Sequence, residues 1–191
     1  MAGAGKLRFA QLHDLELCAQ AVTGKRAPFG ELVRRHGPAV RGLLRRMGAP
    51  APEADDVAQD AFLTAFERIT EFRGEGTFAA WVKRIAARLY LRRLQKARRL
   101  VVLVEAPDPV PPGGDADGRI DLDDGLKALS PAERLCLALC FGAGLSHGEA
   151  AESLNLPLGT VKSHVKRGLD KLRARLASAG ETAPERSRHD G

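Results

Sequence analysis

The sequence has few of the residue types on which several protein classes depend. Its 191 residues include three cysteines, one tryptophan, one tyrosine and seven phenylalanines. Three cysteines are too few, and odd in number, for a disulfide framework. No apolar run approaches the ~18 residues of a membrane span, and no apolar signal core opens the chain. We therefore expect a cytoplasmic protein without membrane insertion. Because β-branched residues are scarce beside Ala, Leu and Arg, helix is favoured over sheet.

Motifs for enzyme chemistry are also missing. We find no P-loop, no dinucleotide-binding glycine pattern, no zinc spacing and no defensible Ser/His/Asp order. Cys136 and Cys140 lie one helical turn apart and His147 follows, but a metal site would need further ligands. We interpret the cysteines as core residues and expect no catalytic residue, no metal and no cofactor. A metal enzyme built on these three residues is the remote alternative.

The charge is uneven along the chain. Lys and Arg number 30 against 24 acids, which gives a net charge of +6. Residues 83–99 hold eight bases and no acid, and residues 160–175 hold six bases and one acid. Residues 101–130 hold seven acids and two bases. Two concentrated basic segments indicate an anionic partner.

Helical patterning fills the first hundred residues. Apolar residues recurring at i+3 and i+4 predict helices, and glycine and proline pairs predict their breaks. The predicted helices are Phe9–Ala21, one from Pro28 toward Arg35, Val40–Met47 after a break at Gly37-Pro38, about Glu53–Thr70, and about Phe78–Arg99 after a loop at Phe72–Thr77. Trp81 shares an apolar stripe with Phe78, so we expect it in the core rather than stacked on bases.

The second half carries sharper local signals. Ser130 with Glu133, and Ser146 with Glu149, form two capping boxes that each begin a helix. A turn at 155–157 separates the second of these helices from a last, basic one. Two short helices joined by a tight turn predict a helix-turn-helix, whose second helix enters the major groove of DNA.

These signals predict an all-α chain of two small helical domains with a flexible linker. Proline, glycine and aspartate crowd the stretch between the two domains. The predicted parts are an N-terminal extension (1–25), a helical bundle (26–99), an acidic linker (100–121), the helix-turn-helix domain (122–177) and a disordered tail (178–191).

Two segments together resemble one family. Residues 55–86, DDVAQDAFLTAFERITEFRGEGTFAAWVKRIA, resemble region 2 of bacterial RNA polymerase sigma factors. Residues 129–176, from LSPAERL to KLRARL, resemble region 4. With only a linker between them, the layout is similar to the extracytoplasmic-function (ECF) class. The resemblance implies a promoter-specificity subunit that melts DNA and initiates transcription.

The resemblance also implies partners and site residues. Region 2 would dock on the β′ clamp helices of core RNA polymerase, and region 4 would dock on the β flap. Both regions would also bind promoter DNA. An anti-sigma factor is an expected partner, and the free chain is expected to be a monomer. The implied docking residues are Asp56, Gln59, Asp60 and Phe62. The implied contacts to the −10 element are Arg73, Thr77, Lys83, Arg84, Arg88 and Arg92. Those to the −35 element are Gly159, Thr160, Lys162, Ser163, Lys166 and Arg167.

The sequence departs from the family pattern at three positions. Arg88 and Arg92 stand where many relatives have Asn and Asp, and His164 stands where Arg is frequent. The predicted −10 helix is thus unusually basic. Two alternatives stay open: a helix-turn-helix regulator that acts without polymerase, and a sigma-like protein that sequesters an anti-sigma factor or a polymerase surface.

Overall fold

The described part of the chain is helical. The computed structural model describes residues 9–97, 99–105, 125–126 and 128–181. Its helices, numbered here in chain order, are α1 (Asp14–Val22), α2 (Arg26–Arg46), α3 (Ala51–Glu67), α4 (Phe78–Lys96), α5 (Arg99–Glu105), α6 (Pro131–Leu137), α7 (His147–Leu154) and α8 (Leu158–Glu181). A 3₁₀ turn at Ile69–Glu71 follows α3, and a π-helical turn at Ala138–Gly142 follows α6. No strand occurs among these residues, in agreement with the predicted all-α fold.

The helix predicted over Phe9–Ala21 is interrupted, because residues 9–10 are helical, residues 11–13 are not, and α1 begins at Asp14. Its N-cap is His13, whose ring accepts a hydrogen bond from the backbone N–H of Leu15. Glu16 accepts one from the His13 N–H at 2.7 Å, which completes a capping box. The prediction of a helix from Phe9 overlooked this box because histidine is not among the residues preferred at the N-cap.

The predicted break at Gly37-Pro38 is wrong, since α2 runs unbroken through it. Proline removes one backbone donor inside a helix and normally kinks it. Here Pro38 is exposed, while Leu32 and Val40 on either side are fully buried. Burial of both flanking apolar segments against α1, α3 and α4 outweighs the single lost hydrogen bond.

Helices α2, α3 and α4 pack on one another and enclose an aromatic cluster. Phe78 is 1% exposed at the centre of it. Its ring meets those of Phe29, Phe72 and Trp81 at 6.1, 5.8 and 5.9 Å between centroids. Trp81 is half-buried and packs against the core, as its position in the apolar stripe predicted.

Two boundaries of the predicted domains differ in the structure. Helix α5 occupies residues that the sequence placed at the start of the linker, and it packs between α4 and α6. Leu100 is buried there, which the proline-rich composition after it did not indicate. Helix α8 extends to Glu181, four residues into the predicted tail. The rest of the predicted linker (106–121) and tail (182–191) lies outside the described residues.

The second half has the predicted capped helices. Ser130 and Ser146 each accept a hydrogen bond from the N3 backbone, and Glu133 and Glu149 accept one from the cap backbone. Asn155 ends α7 in the left-handed region, at φ 53°. The two halves of the molecule, α1–α5 and α6–α8, share one contiguous apolar core. Contacts between them join α5 to α6, α4 to α7, and α2 to the π turn.

Candidate nucleic-acid interface

The N-terminal half of α8 presents a basic, open face. Val161 and Val165 are buried and anchor the helix, so the residues between them point outward. The exposed residues on this face are Gly159, Lys162, Ser163 and Lys166, and Thr160 is half-buried. A Cβ added at Gly159 would meet nothing within 4 Å, so the backbone there is open to close approach. The positive end of the helix adds to the attraction for phosphate.

A buried carboxylate fixes the position of α8 against α6. Glu133 is 1% exposed and accepts a hydrogen bond from the Lys171 Nζ at 2.9 Å. Gly168 allows the close crossing, because an added Cβ would lie 2.7 Å from the Cδ1 of Leu137. The recognition helix is therefore held by charge and by close packing in the same place.

Arg167 differs from its neighbours on the predicted −35 face. Its Nε lies 3.6 Å from the Glu133 carboxylate, and its Nη2 lies 3.0 Å from the His164 Nδ1. The side chain is 60% exposed, so it reaches solvent while one edge is engaged. The structure brings Arg167 to the same face as Lys166 but gives it partners within the chain.

Helix α4 presents the second basic face. Val82, Ala86 and Tyr90 are buried, and the opposite side carries the predicted −10 residues. Arg88 and Arg92 are exposed, while Lys83 and Arg84 are half-buried. The spacing of Arg84, Arg88 and Arg92 by four residues aligns them along one stripe.

The loop before α4 contains the residue that caps this helix. Thr77 is its N-cap, and the hydroxyl accepts a hydrogen bond from the Ala80 N–H at 3.1 Å. Arg73 is exposed in the same loop. Gly74 and Gly76 have φ values of +76° and +93°, where other residues are strained. The loop is thus tightly turned, and Thr77 has a structural role beside its predicted contact to DNA.

Helix α3 combines an acidic face with an apolar groove. Asp56, Gln59 and Asp60 are exposed, and Phe62 is buried at 6% exposure. A groove of about 730 Å³ runs between α2 and α3. Its apolar lining consists of Phe29, Val33, Ala58, Phe62, Leu63 and Phe66.

Sequence reasoning missed Leu63, which is 55% exposed and lines the groove. It lies on the helix face of Asp56 and Asp60, at i+7 and i+3, so helical spacing could have indicated it. The groove edge also carries Gln59 and the ion pair of Arg41 with Asp55, at 3.5 Å. An apolar groove edged by polar residues fits a partner helix better than a small charged ligand.

The predicted docking residue Asp60 contacts the predicted −10 helix. Its Oδ2 accepts a hydrogen bond from the Nη2 of Arg93 on α4. Glu53, at the start of α3, accepts one from Arg99 at 2.6 Å. Two acidic residues of α3 therefore form ion pairs with Arg93 and Arg99, which come after the exposed arginines of α4 in the chain.

The cysteines have the environment expected of core residues. Burial raises the pKa of Cys136 to about 12 and that of Cys18 to about 11, and it also raises the pKa of Cys140. A thiol with a raised pKa is a poor nucleophile and a poor metal ligand. Within the described ranges, no group of three or more His, Cys, Asp or Glu side chains could hold a metal ion.

Comparison with known proteins identifies the family. Residues 32–100 match the model for sigma-70 region 2, and residues 125–174 match that for sigma-70 region 4. The chain is 34% identical over 164 residues to the ECF RNA polymerase sigma factor SigE of Mycolicibacterium smegmatis, covering 80% of this chain and 63% of SigE. It is 30% identical over 158 residues to the ECF RNA polymerase sigma factor RpoE of Cereibacter sphaeroides, covering 79% of this chain and 87% of that protein.

A solved structure is similar in fold to this chain. It is the sigma factor RpoE in complex with the anti-sigma factor NepR from Bartonella quintana. The TM-score is 0.50 at 25% identity, over 78% of this chain and 96% of that one. The chain belongs to the ECF RNA polymerase sigma factors. Region 2 here comprises α2 to α4, and region 4 comprises α6 to α8.

In the part of the chain that the structure describes, no helix is both long enough and apolar enough to cross a bilayer.

Proposed function

We propose that this chain directs core RNA polymerase to promoters by using three of its surfaces. The face of α3 docks on polymerase, the arginine stripe of α4 contacts the −10 element, and the N-terminal half of α8 reads the −35 element. The observation that carries the proposal is the presence of two separate basic helix faces, on α4 and α8, in a chain with sigma regions 2 and 4.

The docking proposal rests on the groove between α2 and α3. Asp56, Gln59 and Asp60 supply exposed polar groups on α3, and Leu63 supplies exposed apolar area beside them. A helix of the polymerase β′ subunit with apolar and basic residues would complement this combination. Phe62 is buried and forms part of the apolar lining of the groove.

The DNA-binding proposal assigns different contacts to the two basic faces. On α8, Lys162 and Lys166 neutralise phosphates, while Thr160 and Ser163 are short enough to reach base edges. On α4, Arg88 and Arg92 bind the backbone of the melted strand. Because both arginines replace the residues frequent in the family, we expect an unusual −10 preference.

Regulation and location are parts of the same proposal. The structural similarity to a sigma factor bound to NepR supports control by an anti-sigma factor. We propose that the chain acts on polymerase in the cytoplasm, as a monomer before it docks, and performs no covalent chemistry itself.

Run-off transcription tests the proposal. The purified chain is mixed with bacterial core polymerase and a promoter from its own upstream region, beside Asp56→Arg plus Gln59→Ala. A matched control, Glu152→Arg plus Gln11→Ala, makes the same change in charge at exposed positions outside α3. We expect transcripts with the unmodified chain and the control, and none with the α3 variant.

Other outcomes favour the alternatives. Binding to core polymerase without transcripts from any promoter supplied would favour a sequestering protein. Absence of binding to core polymerase would overturn the docking proposal and favour a regulator that binds DNA alone.

A further inference from the structure

Helix α1 lies before the segment that matches sigma-70 region 2, which begins at residue 32. The structure nevertheless packs α1 onto that region, against α2 and against the 3₁₀ turn at Ile69–Glu71. Leu17 and Ala21 of α1 are buried in the core. Helix α1 is thus a fixed part of the fold that none of the three proposed surfaces uses.

One guanidinium holds the segment that leads into α1. The Arg35 Nη2 donates hydrogen bonds to the carbonyl oxygens of Phe9 and Ala10, at 2.9 and 3.0 Å. Its Nη1 donates to the carbonyl oxygen of Leu12 and to the Oδ1 of Asp14, both at 2.9 Å. Arg35 is only 20% exposed, so these bonds are partly shielded from water. The start of α1 is therefore fixed against α2.

The fixed start of α1 brings Leu15 beside the loop that precedes α4. We call residues 73–77 the −10 loop, because Arg73 and Thr77 are predicted contacts to the −10 element. A Cβ added at Gly74 would lie 3.4 Å from the Cδ2 of Leu15. Among the described residues other than the chain neighbours of Gly74, no further heavy atom lies within 4 Å of that position. Leu15 is thus the side chain that supports the middle of the loop.

The two ends of the −10 loop are held separately. The ring of Phe72, just before the loop, lies 5.4 Å from that of Trp81 between centroids. Thr77, at the other end, caps α4. Between these points Gly74 and Gly76 both have positive φ values, and a Cβ added at Gly76 would meet nothing within 4 Å. A segment with two glycines that is fixed only at its ends keeps much backbone freedom, and the contact with α1 restricts it.

We propose that Leu15 is a positioning residue for base recognition at the −10 element, acting through the −10 loop. This inference rests on the proposed function, because it assumes that region 2 binds the melted −10 strand. Ordering a loop on binding costs affinity, so a loop that is already in place recognises an unpaired base better. Leu15 itself makes no contact with DNA. It determines where Arg73 and the loop backbone meet the base.

A second apolar residue of α1 provides a matched control. Val22 lies seven residues after Leu15, on the same side of the helix. The two side chains are equally exposed, at 48% for Leu15 and 49% for Val22. Only Leu15 lies beside Gly74. Truncation of either side chain should therefore disturb α1 to a similar extent, and only one truncation should affect the −10 loop.

Selection of single strands by the holoenzyme tests the inference. The full chain or a variant is combined with bacterial core polymerase and with a pool of single-stranded DNA of about 12 nucleotides, randomised throughout. Bound strands are sequenced. The readout is the ratio of the most to the least enriched base at the most selective position. The variants are Leu15→Ala, Leu15→Met, Arg73→Ala and the control Val22→Ala, and the melting temperature of each is measured.

We expect Leu15→Ala to lower this ratio from about tenfold in the unmodified chain to about threefold or less. Total binding of the pool should change little, because the arginines of α4 still contact phosphates. Leu15→Met keeps the volume of the side chain and should restore the ratio, and Val22→Ala should leave it unchanged. Both alanine variants should lower the melting temperature by similar small amounts. A merely structural role of Leu15 would change stability and total binding and leave the ratio as it is.

The remaining outcomes separate this inference from the proposed function. An unchanged ratio in Leu15→Ala, or an equal loss in Val22→Ala, would overturn the inference. If Arg73→Ala lowers the ratio and Leu15→Ala does not, the loop reads the −10 strand without help from α1. If the unmodified holoenzyme enriches no base at any position, the −10 assignment of region 2 and the inference both fail.

Hydrogen exchange in the free chain provides an independent test. The amides of residues 73–76 should exchange faster in Leu15→Ala than in Val22→Ala, because the loop has lost its restraint. Equal exchange in the two variants would contradict positioning by Leu15 and would leave the run-off transcription test untouched.

Discussion

The two basic faces of this sigma factor differ in which part of the chain engages their charge: Arg167 on α8 pairs with Glu133 of its own region, whereas Arg84 on α4 contacts the other region. On α8, Lys162 and Lys166 are exposed, and the side chains that hold the helix, Glu133 and Lys171, lie behind them. On α4, Arg84 contacts region 4 directly. The comparison teaches that a basic helix in a sequence is not yet an available surface. Only the fold decides whether its charges face solvent or another part of the chain.

The largest expected effect concerns the contacts that hold α8 against α6. Glu133→Ala removes a capping group and leaves Lys171 without its buried carboxylate. We expect a loss of about 2–3 kcal/mol in the free energy of unfolding, below the usual value for a buried pair because Lys171 is 35% exposed. Chemical denaturation measures the loss.

Glu133→Gln separates the two roles, since glutamine keeps the cap and loses the charge. It should recover part of the stability. Full recovery would mean that the ion pair contributes nothing to holding α8. A transition in which only region 4 unfolds would contradict the shared core.

The second effect compares the two faces as DNA-binding surfaces in the free chain. Lys162→Ala plus Lys166→Ala should reduce the salt dependence of duplex binding by about 1.8, because two phosphate contacts are lost. Arg84→Ala plus Arg88→Ala should reduce it by no more than about half of that, because Arg84 is already engaged by Gly144 and Glu149. Fluorescence anisotropy with a duplex of mixed sequence measures both slopes.

Lys25→Ala plus Arg45→Ala, at exposed positions near the two ends of α2, removes the same two charges and controls for net charge in that experiment. A larger reduction from the arginine pair than from the lysine pair would reverse the comparison. It would show that α4 is the more available face in solution.

The smallest effect expected concerns acid stability in region 2. Hydrogen bonds from Arg34 and Arg35 lower the pKa of Glu31 from 4.5 to about 2. A carboxyl whose pKa is lowered on folding contributes stability above its unfolded value and loses it as pH falls toward the folded one. The stabilisation should therefore be complete above about pH 4.5 and decline between about pH 4.5 and 2.

The melting temperature of Glu31→Gln, followed against pH, tests this expectation. The difference in melting temperature between the unmodified chain and the variant should narrow as the pH falls from about 4.5 to about 2. Glu75→Gln, exposed in the loop before α4, is the control. A gap that stays constant with pH would show that packing of Glu31, rather than its charge, supplies the effect.

Local features of the fold were predictable from the sequence. The capping boxes at Ser130 and Ser146 and the turn at Asn155 each depend on a few neighbouring residues. Features set by packing were not predictable in this way. Helix α2 continues through Pro38 because of what lies on both sides of it, and α5 forms where composition predicted a linker.

In the candidate site, too, local features were predictable from the sequence and long-range contacts were not. The exposure of Asp56, Gln59 and Lys162 followed from helical periodicity. The contact of Arg84 with Gly144 joins residues 60 positions apart, and no local pattern contains it. Thr77 shows a mixed case, because its capping role was readable from the sequence while the resemblance indicated DNA. The roles assigned to these residues remain predictions.

The fit of Leu43 over Gly142 bears on exchange of parts between sigma factors. Region 2 and region 4 are separated by a long connection, which suggests interchangeable modules. Yet the Leu43 side chain of one lies so close to Gly142 of the other that an added Cβ would come within 2.6 Å of it. A chimaera with region 4 from another sigma factor would take on the −35 preference of the donor. It would also have a new contact between the two regions. The donor's residue at that contact would then set how closely the two regions of the hybrid pack.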